Sequence, residues 1–128
     1  MTYLIDTHTY LWFRISPGLL PPRCLDLLTD TEHTGFISVV TPWELAVKSG
    51  TGKLDVAALL VDFEQRETEA GFLIAGVTVG QAIASGLLPR HHRDPFDRLL
   101  IAQALEMRAP VLSRDASFDA YGVERIWF

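Results

Sequence analysis

The chain is 128 residues long, nearly half apolar, with a formal charge of −5 and a single cysteine. That length suits one domain, taken as 1–128, with a core of its own. The acidic balance excludes a generic basic surface for nucleic acid, so any such contact has to come from a local patch or a bound cation. Cys24 has no partner for an internal disulfide, no run of about 18 apolar residues offers a membrane span, and no charged leader precedes Asp6, so a soluble cytoplasmic protein is expected.

Tyr3-Leu4-Ile5 reads as a short buried strand ending at Asp6. A helix follows through Leu11, Trp12 and Ile15 until Ser16-Pro17-Gly18 breaks it, and Pro21-Pro22 starts a second that runs to about Asp30. Trp12, Phe13, Leu19 and Leu20 are candidate core residues. Phe36 to Val40 is aromatic and β-branched enough for a second strand. Thr41-Pro42-Trp43-Glu44 has the spacing of a capping box, with the Thr41 hydroxyl on the amide of residue 44 and the Glu44 carboxylate on the amide of Thr41. The helix it opens ends at Gly50.

Asp55 is expected to cap a helix from Val56 to about Glu69, with Leu59, Leu60 and Phe63 on its apolar side. Phe72 to Ala75 reads as a third strand and Thr78 to Ser85 as a short helix, after which Leu87 to Arg93 forms a loop. Asp94 then caps a long helix with Pro95 in its first turn, which places Asp97 at the third helical position and carries the helix to about Arg108. Pro110 to Ser113 is a fourth strand, Asp115 to Tyr121 a helical turn, and Glu124 to Phe128 a final edge strand. Strands that alternate with helices, and that are apolar without alternation, argue for a parallel sheet covered by helices on both faces.

Such sheets bind ligands beyond the carboxyl ends of their strands. Asp6 lies at that end of the first strand, Glu44 in the helix after the second, Asp97 at the start of the helix leading to the fourth, and Asp115 just past the fourth. Right-handed crossovers point all four at one edge. Each acid has a plain structural alternative: Asp6 and Asp115 as caps, Glu44 as half of a capping box. Together they would repel one another unless neutralised. A hard divalent cation relieves that repulsion, and a few carboxylates are the donor set Mg²⁺ accepts while keeping waters. That composition suits metal-assisted phosphodiester hydrolysis. No histidine and cysteine spacing matches a zinc site.

Other uses of an acid after the first strand fit less well. A covalent aspartyl phosphatase wants a second Asp two positions on, where this chain has His8, and a phosphoacceptor domain wants one after its middle strand, where Ile74 to Thr78 has none. A non-catalytic binding protein of the same fold would show a broken acidic quartet. Here the quartet is intact.

The runs L-I-D-T-H, S-V-V-T-P-W-E-L-A-V-K-S-G-T-G-K-L, H-R-D-P-F-D-R-L-L-I-A-Q-A, L-S-R-D and F-D-A-Y-G-V, in that order and spread over nearly the whole chain, resemble PIN-domain proteins, and within them the bacterial VapC-type toxins of toxin–antitoxin pairs. The resemblance implies a three-layer α/β/α sandwich with a mostly parallel sheet of four to five strands. It implies a Mg²⁺- or Mn²⁺-dependent endoribonuclease of the prokaryotic cytoplasm, cutting RNA to leave a 5′-phosphate. It also implies a small antitoxin partner and a homodimer. On that pattern Asp6, Glu44, Asp97 and Asp115 are the metal-holding catalytic acids, with Asp6 and Asp97 on the principal ion. Asp94 is assigned as the helix cap, and Asp94, Arg98 and Arg114 are accessory positions beside the acids. Arg90, His91, His92 and Arg93 read either as a solvated loop or as a clamp for the RNA backbone. Ser38 and Ser113, at strand ends, are either ordinary polar ends or hydrogen-bond partners of the site.

Overall fold

The computed structural model describes residues Met1–Phe128. Its centre is β1 (Thr2–Ile5), which pairs in parallel with β2 (Thr34–Ser38) on one side and β4 (Val111–Leu112) on the other. With β3 (Leu73–Ala75) and β5 (Arg125–Ile126) at the edges, the order is β3-β2-β1-β4-β5 and every pairing is parallel. The strand order reverses across β1 and β4, so the chain leaves these two neighbours towards opposite sides of the sheet and a crevice opens beyond their carboxyl ends.

The two-residue period of β1 separates the layers. Tyr3 and Ile5 join one apolar cluster with Tyr10, Leu11, Cys24 and Leu27 from α1 (Thr7–Ile15) and α2 (Pro22–Thr29). Leu4 joins the other, with Val40 at the start of α3 (Val40–Gly50) and Leu100, Ile101 and Ala104 from α6 (Pro95–Met107). This is the expected α/β/α sandwich, with five strands and no antiparallel member. Gly35 allows the close packing inside it: a Cβ there would stand 2.7 Å from the Tyr3 hydroxyl, which instead donates to the Leu27 carbonyl at 2.9 Å. Of the candidate core residues Leu20 is buried, Trp12 and Phe13 are partly covered, and Leu19 is exposed.

The structure departs from the local reading at three places. The capping box at Thr41 does not form. β2 ends at Ser38, two residues earlier than its apolar run, and α3 starts at Val40. Ser38 Oγ accepts from the Val40 amide at 3.0 Å, while Val39, the N-cap residue, offers no side-chain cap. Thr41 is buried with its hydroxyl 3.3 Å from that of Thr7, and Glu44 is left free of the helix end.

The helix expected over 56–69 is broken. A 3-10 turn, Ala57–Leu60, comes first, and α4 (Phe63–Glu69) starts after Asp62, whose φ of 51° is left-handed. Asp55 caps neither piece. Arg66 reaches back to the carbonyls of Leu59 and Val61, which the break leaves without helical partners. The break also turns Phe63 into the core and brings Glu67, fully buried, against the Tyr10 hydroxyl and the Arg14 guanidinium of α1.

The third difference is a cap that went unread. Thr78 and Gln81 form a reciprocal capping box at the start of α5 (Val79–Leu87).

Candidate functional site

Four elements deliver the acids to the crevice. Asp6 follows β1 and is the N-cap residue of α1, but its side chain makes no cap bond. It accepts instead from Ser113 Oγ at 2.7 Å across the top of β4. Ser113 also accepts from the Asp115 amide at 3.0 Å, so one hydroxyl ties two of the acids together. Asp115 begins the 3-10 turn Ala116–Tyr121 and takes the Ser117 amide at 2.9 Å, the capping role named as its plain structural alternative. Asp94 caps α6 as expected, accepting from the amides of Phe96 at 2.8 Å and Asp97 at 3.4 Å, with Pro95 in the first turn. That cap sets Asp97 on the crevice side of α6. Glu44, one turn into α3, is 2% exposed and bonds Lys48 Nζ at 2.5 Å, an i,i+4 pair.

The electrostatics show how tightly these groups share space. Burial raises the Asp97 carboxyl, and the charges of Asp6, Asp94, Glu44 and Asp115 raise it further, to about 8. Asp6 is also pushed up, first by burial and to a lesser degree by Glu44, against the opposing pull of Ser113, His8 and the Thr7 amide. Asp115 goes the other way: its partial burial is outweighed by the Ser117 hydrogen bonds and the neighbouring His92, which hold it below the usual carboxylate range. Against the cost of its own partial burial, Lys48 is held above the ordinary lysine range by Glu44, then by Asp94 and Asp97. Two carboxylate oxygens at the bottom of the crevice, Asp6 Oδ1 and Glu44 Oε1, are buried and have no hydrogen-bond partner. Buried charged oxygens are costly in that condition. They are the donors a hard cation would take up.

The basic residues divide by role. Arg98 neither pairs the acids nor faces the crevice as a free cation. All five of its N–H donors go to backbone carbonyls: Ser85 at 3.1 Å, Gly86 at 3.4 Å, Leu88 at 2.8 Å, Pro89 at 3.1 Å and His92 at 3.1 Å. The end of α5 and the following loop leave those carbonyls without helical partners, and a guanidinium fork collects them. Arg90 and Arg93 are exposed and make no ion pair, and with Gly86, His92 and Arg98 they line a polar cavity of about 550 Å³. His91 is exposed and stacks edge-on against Tyr121. Arg114, exposed and unpaired, lines a cleft of about 380 Å³ with Asp6, His8, Trp12 and Asp115. His92, within the run read either as a solvated loop or as an RNA clamp, places its Nε2 2.9 Å from Asp97 Oδ2 and 3.5 Å from Asp115 Oδ2. Metal-binding atoms of His92, Asp97 and Asp115 all lie within 4.8 Å of one another.

Comparison with known families decides the kinship. The PIN domain matches residues 3–124. The chain belongs to the PIN domain family. No curated protein matches it by sequence. Among solved structures its fold is shared by VapBC2 from Rickettsia felis, bound to a DNA fragment from their promoter, at a TM-score of 0.70 and 17% identity over 100% of both chains. FitAB bound to an IR36 DNA fragment aligns at a TM-score of 0.67 and 21% identity, over 98% of this chain and 94% of that one. FitAcB from Neisseria gonorrhoeae aligns at 0.64 and 21%, over 98% and 96%. At these identities the likeness is one of fold. No helix of this PIN domain is long and apolar enough to cross a membrane.

Sequence reasoning assigned nothing to two residues that the structure places at the site. Lys48 follows Glu44 by one helical turn, and that spacing was the available signal. Tyr121 pins the basic loop from 29 or more residues away: its hydroxyl accepts from the amides of His91 at 3.1 Å and His92 at 2.8 Å and donates to the Pro89 carbonyl at 2.7 Å. No local pattern encodes such a contact.

Proposed function

We propose that this PIN domain is the toxin of a VapC-type toxin–antitoxin pair and that it hydrolyses RNA phosphodiesters with the help of Mg²⁺ or Mn²⁺. The observation that carries this reading is the convergence of Asp6, Glu44, Asp97 and Asp115 in one crevice, with a bare buried oxygen on each of the two deepest acids. Asp6 and Asp97 would hold the principal cation, and Glu44 and Asp115 would complete the site. The cation, when bound, supplies Lewis-acid polarisation of a phosphoryl oxygen and lowers the pKa of water to a range usable near neutrality.

The rest is work for the protein's own groups. Ser113 fixes the Asp6 carboxylate and the Asp115 amide in one frame. Lys48 screens Glu44 from the other acids. Arg90 and Arg93, which make no ion pair and line one cavity with His92, attract an RNA backbone to an otherwise acidic protein. The likeness to VapBC2 and FitAB, whose names join two components, supports an antitoxin partner. The partly covered Trp12 and Phe13 with exposed Leu19 offer it an apolar face, and a homodimer is part of the same reading. The test is incubation of purified wild type and Asp97→Asn with a mixed pool of tRNA, rRNA and mRNA, with Mg²⁺ or with EDTA. Cleavage by wild type in Mg²⁺ alone is expected. Cleavage that persists in EDTA, or in Asp97→Asn, contradicts the reading.

A further inference from the structure

A cleft of about 380 Å³ opens beside the acids, walled by Asp6, His8, Trp12, Arg114, Asp115 and Ala116. That is a size ligand sites commonly have, about 300–1,000 Å³. Three of the walls end in flat groups, an imidazole, an indole and a guanidinium, and none of these side chains makes a hydrogen bond or an ion pair. His8 and Arg114 are exposed and Trp12 is partly covered. The chain ties all three to the acids: His8 and Trp12 share one face of α1, which Asp6 precedes, and Arg114 stands between Ser113 and Asp115. The Trp12 ring is 6.2 Å from His8 and 5.8 Å from Trp127, tilted by 54° and 48°, so neither neighbour lies flat against the indole. Trp127 packs against the core and braces the indole without walling the cleft.

We propose that this cleft is a nucleobase subsite: an unpaired RNA base beside the phosphodiester to be cut stacks on Trp12, with the planar Arg114 guanidinium and the His8 ring against it. The proposal rests on the metal-dependent nuclease reading and gives that site its grip on the strand. Single-stranded RNA is held by laying splayed-out bases on aromatic rings and guanidinium planes, the kinds of group gathered here. A phosphate is the less suitable occupant, because Asp6 and Asp115 set two carboxyl groups in the same walls, whereas a base brings an uncharged face. The cleft differs in this from the cavity of Arg90 and Arg93, whose walls hold no acid and suit the backbone.

The experiment separates base from backbone. Fluorescence anisotropy measures the binding of labelled pentaadenylate, and of the same sugar–phosphate chain without bases, to Asp97→Asn protein, in which cleavage is expected to be lost. Pentaadenylate should bind more tightly than the base-free chain. In that background Trp12→Leu, which keeps apolar bulk without a ring, should weaken pentaadenylate about 5- to 150-fold and leave the base-free chain within about two-fold. Trp12→Phe should retain most of the affinity, and Arg114→Ala should weaken pentaadenylate more than the base-free chain. Equal binding of the two chains overturns the proposal. So does a Trp12→Leu that binds pentaadenylate as its parent does, which leaves Trp12 to the antitoxin face, or one that loses both chains alike. If melting shows that Trp12→Leu does not fold, the two chains on the parent protein and on Arg114→Ala still decide. A wild type that cuts no RNA in Mg²⁺ while base-dependent binding persists defeats the nuclease reading alone.

Discussion

Asp97 concentrates the electrostatics of the protein in one carboxyl group. Its value of about 8, against 3.8 when unperturbed, means that near neutrality the folded protein keeps a proton there which the unfolded chain has released. The sign follows from linkage: between about pH 4 and 8 the native state binds more protons, so this group's stabilising contribution is complete below that window and is lost as pH rises through 8. Metal-free protein should therefore melt at a lower temperature at pH 9 than at pH 6, and Asp97→Asn should flatten that difference. Differential scanning calorimetry in EDTA checks both; an Asp97→Asn profile as steep as wild type would place the repulsion elsewhere. Arg98 makes a contrasting prediction. Its five bonds to carbonyls have no counterpart in a lysine, which lacks the planar fork. Arg98→Lys should cost about 2–3 kcal/mol in urea unfolding, more than a surface arginine would.

At the scale of elements, α6 fixes the site because it is built to be rigid. Asp94 and Pro95 start it, Leu100, Ile101 and Ala104 bury it, and Arg108, left-handed at φ 52°, closes it. Asp94→Asn keeps an amide oxygen for the cap and should retain RNA cleavage within a few-fold of wild type. Asp94→Ala should lose about 1 kcal/mol of stability and shift Asp97 with the frayed turn. Cleavage assays beside denaturant melts separate the two effects. If Asp94→Asn abolishes cleavage while Asp97→Asn keeps it, the roles given to these two acids are reversed.

The α6 start was legible in the sequence because cap, proline and apolar helix are neighbours in the chain. The same reasoning failed at Thr41, whose cap–proline–aromatic–acid pattern echoes 94–97. There the strand gave way early to the helix, because burying Val40 and pairing Thr41 with Thr7 took both residues into it. Tertiary packing likewise broke the 56–69 helix, since Glu67 had to meet Tyr10 and Arg14 on another element. Periodicity within one segment carries no information about such partners.

For the whole molecule, the parallel sheet and its layers were readable from the alternation of elements, and the edge to which Asp6, Glu44, Asp97 and Asp115 point followed from topology alone. What could not be read was which nitrogen-bearing side chains stand among them. Lys48 and His92 are brought in by helix geometry and by a loop pinned from Tyr121, while Arg98 is drawn away to the backbone. An acidic molecule with only a small basic patch should also bind RNA with a shallow salt dependence. Two phosphate contacts, from Arg90 and Arg93, predict a slope of log K against log salt of about −1.4, using the single-strand coefficient. Filter binding of RNA to Asp97→Asn across salt concentrations measures it, and Arg90→Ala should reduce the slope by about half.

The central claim is that the four converging acids form one cation site. Its most direct measurement is calorimetric titration of the metal-free protein with Mn²⁺ at pH 7, in two buffers of different ionisation heat. Because Asp97 holds a proton at that pH, one Mn²⁺ should bind with release of close to one proton, seen as a buffer-dependent heat. Asp97→Asn should lose the proton release and most of the affinity. No binding by wild type, or binding in Asp97→Asn with unchanged affinity and heat, would contradict the account.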